Sequence, residues 1–353
     1  LWRVVTIMEK AAATCVLDGV TVTGGGRGIS TGDGTVEDGF RRDRGSTLFV
    51  ASGATPVIRN CRFVGNTAYV GCVFFNSSTP TFEDNEVSFN QSGYYGAFYS
   101  GSSAATVENT AFIGNYRRTD FSASGAAAVE LNRSLTLKNC TFTRNYLRKF
   151  RTNNPQEAVC ICSEYGDYTG FLVRDCTFRC NSCYDTYAGV PAPMVYCYAG
   201  QRMLSGCHFA SNVTTVATTT ATPVIAAGCL FFNAAVNLTQ SCTFEANEIS
   251  VTAPNATSVV AAPCYSVSSD QQVANATFWD NTVSVDAPLA TEKDVARAFA
   301  WVGANGSHFV FNSTFAGMSA LPDVVSRQTE DGASGVKILN SVLWATGAAT
   351  AVP

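Results

Sequence analysis

Charge is scarce in this 353-residue chain: Asp, Glu, Lys and Arg make up 14% of it and leave a net charge near −4. Binding a phosphate backbone needs a basic surface, so the composition gives no footing to nucleic acid as a partner. No run of about 20 uninterrupted apolar residues occurs, which removes membrane-spanning helices. Apolar residues spaced i, i+3, i+4, i+7 are missing too, and with them the helical fold classes. Histidine is limited to His208 and His308, both inside ordinary strand-like phrases. His208 is expected to face outward beside Phe209, and neither histidine is a candidate catalytic group. The first residues, Leu1 to Ile7, lack a basic flank and a small-residue cleavage site and read as a strand.

What is present is a phrase that returns eleven times, clearest as Ile58-Arg59-Asn60-Cys61-Arg62-Phe63-Val64-Gly65-Asn66. Its anchor is a turn-former: Gly19, Asn60, Asp84, Asn109, Asn139, Asp175, Gly206, Ser241, Asn275, Asn312 and Asn340. All but Ser241 are Gly, Asn or Asp, the types that tolerate positive φ, so this column predicts a bend once per repeat. Two residues before the bend the position is apolar in every copy except Thr239, and three residues after it the position is always apolar, most often Phe. Around each bend apolar and polar residues alternate at period two, which predicts two short strands meeting at a corner.

Successive anchors lie 24 to 41 residues apart, too irregular for propeller blades but natural for a solenoid whose loops vary in length. The prediction is an all-β, single-domain parallel β-helix of about eleven coils over residues 1–353, a rod on the order of 50 Å long at ~4.8 Å per coil. Equivalent residues then stack as ladders. Phe112, Phe142 and Phe178 belong to an inner ladder, and Asn66, Asn90, Asn115, Asn145, Asn181, Asn212, Asn247 and Asn281 form a structural ladder at a corner. Neither end shows a polar cap, so the chain is expected to be a segment of something longer or to stack on a neighbour.

The Ile-x-Asn-Cys-x-Phe-x-x-Asn phrase, repeated at Leu137 to Asn145 and Val173 to Asn181, with the opening Leu17-Asp18-Gly19-Val20-Thr21-Val22-Thr23-Gly24-Gly25, resembles the right-handed parallel β-helix of the pectin-lyase-like superfold. It is most similar to the repeats of polymorphic outer-membrane proteins and related surface proteins. The resemblance implies a right-handed coil and leaves function open, because the superfold carries lyases, glycosidases, adhesins and structural rods. The Gly-His-Gly and Arg-Ile-Lys segments of polygalacturonases are absent, as are the Trp-Ile-Asp-His and Arg-x-Pro-x-x-Arg segments of pectate lyases. No catalytic, cofactor or metal-binding residue is therefore assigned. Cys180-Asn181-Ser182-Cys183 has metal-ligand spacing but no second pair.

Ten Asn-x-Ser/Thr sequons point to an extracellular, secreted or cell-surface glycoprotein. Asn76, Asn132, Asn237, Asn255 and Asn305 lie in connecting segments and are the expected glycan carriers. Asn90 and Asn212 fall in the ladder, and Asn139, Asn275 and Asn312 in the bend column, where packing is expected to keep glycans off. Of the fourteen cysteines, Cys61, Cys140, Cys176, Cys207 and Cys242 directly follow the bend. Equivalent Cα atoms of neighbouring coils lie about 5 Å apart, within disulfide range, so Cys140–Cys176, Cys207–Cys242 and, on another strand, Cys229–Cys264 are expected pairs; a column of free thiols is the alternative. Tyr116, Arg117, Arg118, Tyr146, Arg148 and Lys149 gather near the Asn-ladder corner as a candidate patch for an acidic glycan or a partner subunit. The functional expectation is a non-enzymatic structural rod of an extracellular filament, appendage, matrix or wall, partnered by itself or other structural subunits. An adhesin or glycan-binding module, and a polysaccharide lyase or hydrolase, are the alternatives.

Overall fold

In the second to ninth coils of the computed structural model the chain makes four strands and then rises onto the next coil; all the described strand pairings are parallel. Residues 4–26, 46–68, 70–93, 95–101, 105–119, 125–131, 134–149, 157–163, 171–187, 192–198, 202–233, 237–267, 271–302, 308–318, 325–328 and 336–345 are described, with some side chains at their margins excepted. One coil serves for all: Leu135–Lys138 lies in the first sheet, Thr141–Thr143 in the second, Tyr146–Lys149 in the third and Ile161–Ser163 in the fourth. Among the described residues the first and second sheets each hold 11 strands stacked in strict sequence order, the third 8 and the fourth 12, so the repeat read in the sequence is the coil.

The bend between the first and second sheets is the predicted column. All eleven anchors, from Gly19 at φ 69° to Asn340 at φ 49°, are left-handed, and Ser241 at φ 52° conforms despite its type. Three residues on, the inner column stacks face to face. Phe112, Phe142, Phe178, Phe209, Phe244, Phe278 and Phe315 follow one another at centroid separations of 4.4 to 5.3 Å, every ring at 0% exposure. That separation is the coil rise, so the strand spacing sets the stacking distance. In the last described coil the same column opens, with Leu343 at 40% exposure.

The asparagine ladder turns the second corner. From Asn90 on, each amide oxygen accepts from the preceding coil's asparagine twice, as Asn145 Oδ1 does from the Asn115 backbone N–H and Nδ2, both at 3.0 Å, while Asn66 Oδ1 accepts from the Gly25 N–H at 2.8 Å. From Asn66 to Asn247 each Nδ2 donates onward and back, as Asn145 Nδ2 does to Asn181 Oδ1 at 3.0 Å and to the Phe112 carbonyl at 2.9 Å. The pattern repeats from Asn66 to Asn281 in a site closed to water. The residue before each ladder asparagine is a second left-handed column that sequence reading missed: Gly65, Phe89, Gly114, Arg144, Cys180, Ser211, Ala246 and Asp280, at φ 49° to 65°. Its mixed composition hides it, because the ladder bonds fix this turn whatever residue stands there.

The position after the first bend shows why cysteine recurs there. Cys61 Sγ reaches the Arg59 carbonyl at 3.0 Å and Cys140 Sγ that of Lys138 at 3.4 Å. Thr110 and Ser313 hydroxyls donate to the carbonyl two residues back in the same way, at 2.9 and 3.1 Å. Any small group that can bond a turn carbonyl fits.

One expectation about sequons is reversed. Asn139, Asn275 and Asn312 are exposed, because a left-handed residue at a convex corner turns its side chain out of the coil. Asn90 and Asn212 are buried as expected.

Substituting Asn145 by Ala is expected to destabilise the protein by about 3 kcal/mol, since it strands the Asn115 N–H and the Phe112 carbonyl in a dry site. Urea unfolding followed by far-ultraviolet dichroism measures it, with Asn139→Ala on the exposed bend as the mild comparison.

Candidate functional site

The third sheet carries the chemistry. It alternates like any strand, and its two faces differ sharply in coils four to six. Outward, the Tyr116 and Tyr146 rings stack at 5.5 Å and 11°, and the Arg148 guanidinium lies 5.7 Å over the Tyr184 ring. Arg118 is in register with Arg148; its side chain lies outside the described residues. Burial between neighbours, ahead of any charge effect, pushes the Tyr146 hydroxyl above its ordinary pKa. This face is a shelf of half-buried rings with a cation on it.

Two members of the expected basic patch are not on that shelf. Arg117 and Lys149 occupy inward positions of the strands Tyr116–Thr119 and Tyr146–Lys149 and are both 0% exposed. They converge on Glu157, also at 0% exposure: Lys149 Nζ at 2.8 Å from Oε2 and Arg117 Nη2 at 3.7 Å from Oε1. Asp185 is the register partner of Lys149 in the next coil and is buried as well; its Oδ1 accepts from the Tyr187 N–H at 2.9 Å. Two cations share one buried carboxylate with a second carboxylate in the adjoining register position, and such opposite-charge contacts are the condition for keeping ions out of water. Strand parity carried the signal: with Tyr116 outward, Arg117 must turn inward, as Leu147 does in the register position above it.

Further along the rod, the positions equivalent to Lys149 and Asp185 become Val216 and Val251. These pack with Val224, Ala226, Val259 and Ala261 in an apolar side core between the third sheet and the long strands Val224–Asn233 and Ser258–Val267 of the fourth. From the strand Leu48–Val50 onward, much of the described fourth sheet is thus buried on both faces, whereas Thr6 in its first strand is exposed. Its outward column, Phe49, Phe74, Tyr99, Glu130, Cys162, Tyr196 and Tyr265, is 0 to 6% exposed, where a simple coil would leave it in water. Burial pushes the Tyr265 hydroxyl up to about 12.

All fourteen cysteines are thiols in the structure. Cys140 and Cys176, and Cys207 and Cys242, are neighbours as expected; the Cys140 backbone N–H points at Cys176 Sγ at 3.4 Å. Cys229 and Cys264 are one residue out of register, although both thiols are buried in the same core and interact electrostatically. A bulge between Ala227 and Leu230 slips the register, so Leu230 stands over Cys264. His208 faces outward and meets Glu245, Nε2 to Oε2 at 2.9 Å. Among the expected glycan carriers Asn255 is exposed and Asn76 half-buried, whereas Asn132, Asn305 and the side chain of Asn237 lie outside the described residues. Among the described residues, no group of three or more His, Cys, Asp or Glu side chains is placed to hold a metal ion, and no helix is long and apolar enough to cross a membrane.

Residues 6–168 match the family model described as right handed beta helix region. With the parallel stacked sheets this makes the chain a right-handed parallel β-helix. No curated protein matches it.

Native thiol alkylation at pH 8 is expected to modify the exposed Cys180 quickly, Cys15 slowly and the remainder only after unfolding; burial holds the Cys72 thiol at about 12. Mass spectrometry of the labelled chain reads this directly, and rapid multiple labelling would contradict the closed thiol columns.

Proposed function

We propose that the chain is a non-enzymatic structural rod of an extracellular assembly, a scaffold for a filament, surface layer, matrix or wall. The observation that carries the reading is the unbroken amide spine: eight buried asparagines, Asn66 to Asn281, linked coil to coil, with both amide hydrogens engaged in each from Asn66 to Asn247. A spine of that kind resists bending and local opening, which serves a part that bears load or holds a spacing. The ten sequons support an extracellular setting. In an oxidising compartment Cys140/Cys176 and Cys207/Cys242 are the neighbour pairs that would join successive coils covalently.

Electron microscopy of the native material is the direct test, together with incubation of the full chain with pectic, uronic and neutral polysaccharides. Expected are molecules built into a repeating array and no release of reducing ends or unsaturated uronates. Turnover of a polysaccharide by a dispersed molecule would overturn the reading in favour of a lyase or hydrolase.

A second reading, a glycan-binding surface module, is favoured by one feature: the stacked Tyr116 and Tyr146 beside Arg148 over Tyr184. Rings present flat apolar faces to sugars and the guanidinium suits an acidic group. If so, Tyr146→Ala and Arg148→Ala each weaken binding to an acidic glycan about tenfold, the loss of one stacking or charge contact. A glycan array that lights up with the native chain and not with the variants decides for it.

A further inference from the structure

The same acceptor triplet meets opposite fates in two columns of this rod. In the ladder, Asn90 Nδ2 donates to the Phe63 carbonyl at 2.9 Å and to Asn115 Oδ1 at 3.1 Å, and Asn212 Nδ2 to the Phe178 carbonyl and Asn247 Oδ1, both at 2.9 Å. Both amide hydrogens are spent and both side chains are buried. In the bend column, Asn139-Cys140-Thr141, Asn275-Ala276-Thr277 and Asn312-Ser313-Thr314 present an exposed asparagine at φ 50° to 52°. The middle residue turns in and is buried, at 0 or 1% exposure in all three. The threonine begins the next strand on the outward side of the second sheet, exposed at Thr141 and half-buried at Thr277 and Thr314. Asparagine amide and threonine hydroxyl, the two groups an acceptor site requires, are therefore both outside the coil.

We propose that Asn139, Asn275 and Asn312 are N-glycosylation sites, and that the edge between the first and second sheets is the glycan-bearing edge of the rod. This rests on the extracellular reading above. The donor class is an oligosaccharide carried on a lipid diphosphate: the bond from the sugar C1 to the diphosphate oxygen breaks, the lipid diphosphate leaves with the electron pair, Nδ2 forms the new bond to C1, and Nδ2 gives up one proton. The product amide keeps one hydrogen. At Asn139 a single hydrogen suffices for its one described amide donor bond, from Nδ2 to Asn109 Oδ1 at 3.3 Å, so the modified residue keeps its turn. Asn275 and Asn312 stand in neighbouring coils, joined by the Asn275 N–H to the Phe311 carbonyl at 3.1 Å. Two oligosaccharides one coil rise apart, about 5 Å, obstruct one another, so that pair carries one glycan per molecule, divided between the two sites. Glycans on this edge leave the third sheet free, which directs lateral contacts of the rod to the tyrosine shelf.

The test is secretion of the full chain from a eukaryotic host, followed by glycopeptide mapping with site marking during enzymatic deglycosylation. Thr141→Ala, Thr277→Ala and Thr314→Ala abolish each acceptor while leaving the turn asparagine in place, and secreted yield reports folding. Expected are occupancy at Asn139, divided occupancy at Asn275 and Asn312, none at Asn90 or Asn212, and loss of one glycan mass step in Thr141→Ala. If Asn255 is occupied and the three bend sites are bare, the proposal falls while the extracellular reading stands. A chain bare at every sequon takes both down. Occupancy of Asn90 or Asn212 in the folded, secreted protein overturns the distinction between the columns.

Discussion

The rod depends on a buried amide. At the second corner of every coil from the second to the ninth, the chain must turn where water cannot reach, and the turn leaves a backbone N–H and a carbonyl without strand partners. One asparagine side chain meets both needs, because it offers an acceptor and two donors from a single short, planar group. Asn145 takes the Asn115 N–H and gives to the Phe112 carbonyl, and its remaining donor and acceptor capacity links it to the same residue above and below. Aspartate lacks the donors, and glutamine places its amide one carbon too far. The repetition of one residue type is thus a requirement of hydrogen bonding in a dry corner, and the phenylalanine column beside it keeps that corner dry.

The features readable in the sequence were those where physics allows few residue types. The first bend demands positive φ and shows as Gly, Asn and Asp; the inner column demands a large apolar group and shows as Phe. The second bend demands the same φ but accepts Phe89, Arg144 and Ala246, since the ladder holds its backbone from the next residue. The position after the first bend holds mostly Cys, Thr, Ser or Asn, each of which can bond a turn carbonyl or N–H, with Val20 and Ala276 as the apolar exceptions, so small size and not pairing alone accounts for the cysteines there. The bulge that shifts Cys229 out of register with Cys264 has no signature in spacing alone.

The site was readable only as far as parity was applied. Tyr116, Tyr146 and Arg148 share the outer face as the alternation requires, while Arg117 and Lys149 were drawn into the same patch by proximity along the chain. Their counterion, Glu157, belongs to a short strand, Glu157–Ala158, outside the repeated phrase, so nothing in the repeat announces it. The burial of the fourth sheet on its outer face is hidden for the same reason: what packs there comes from residues outside the phrase, such as Ala51, Val70 and Tyr95.

Periodic and aperiodic parts of the chain therefore do different work. The repeated phrase builds two walls of the coil and the corner after them, and spends its side chains on bends, stacking and amide bonds, which leaves little there for recognition. The connecting segments differ from coil to coil, and only there does the rod acquire individuality: a charged side core at Arg117, Lys149, Glu157 and Asp185, replaced by an apolar one at Val216, Ile249 and Val251. A buried set of two cations and two anions stabilises less than packed aliphatics of the same volume, but it rejects any neighbour that fails to supply the matching charge. In a stack of near-identical coils, where a slip by one repeat would still match Phe to Phe and Asn to Asn, a buried charge left without its partner is penalised, which disfavours the slipped stacking.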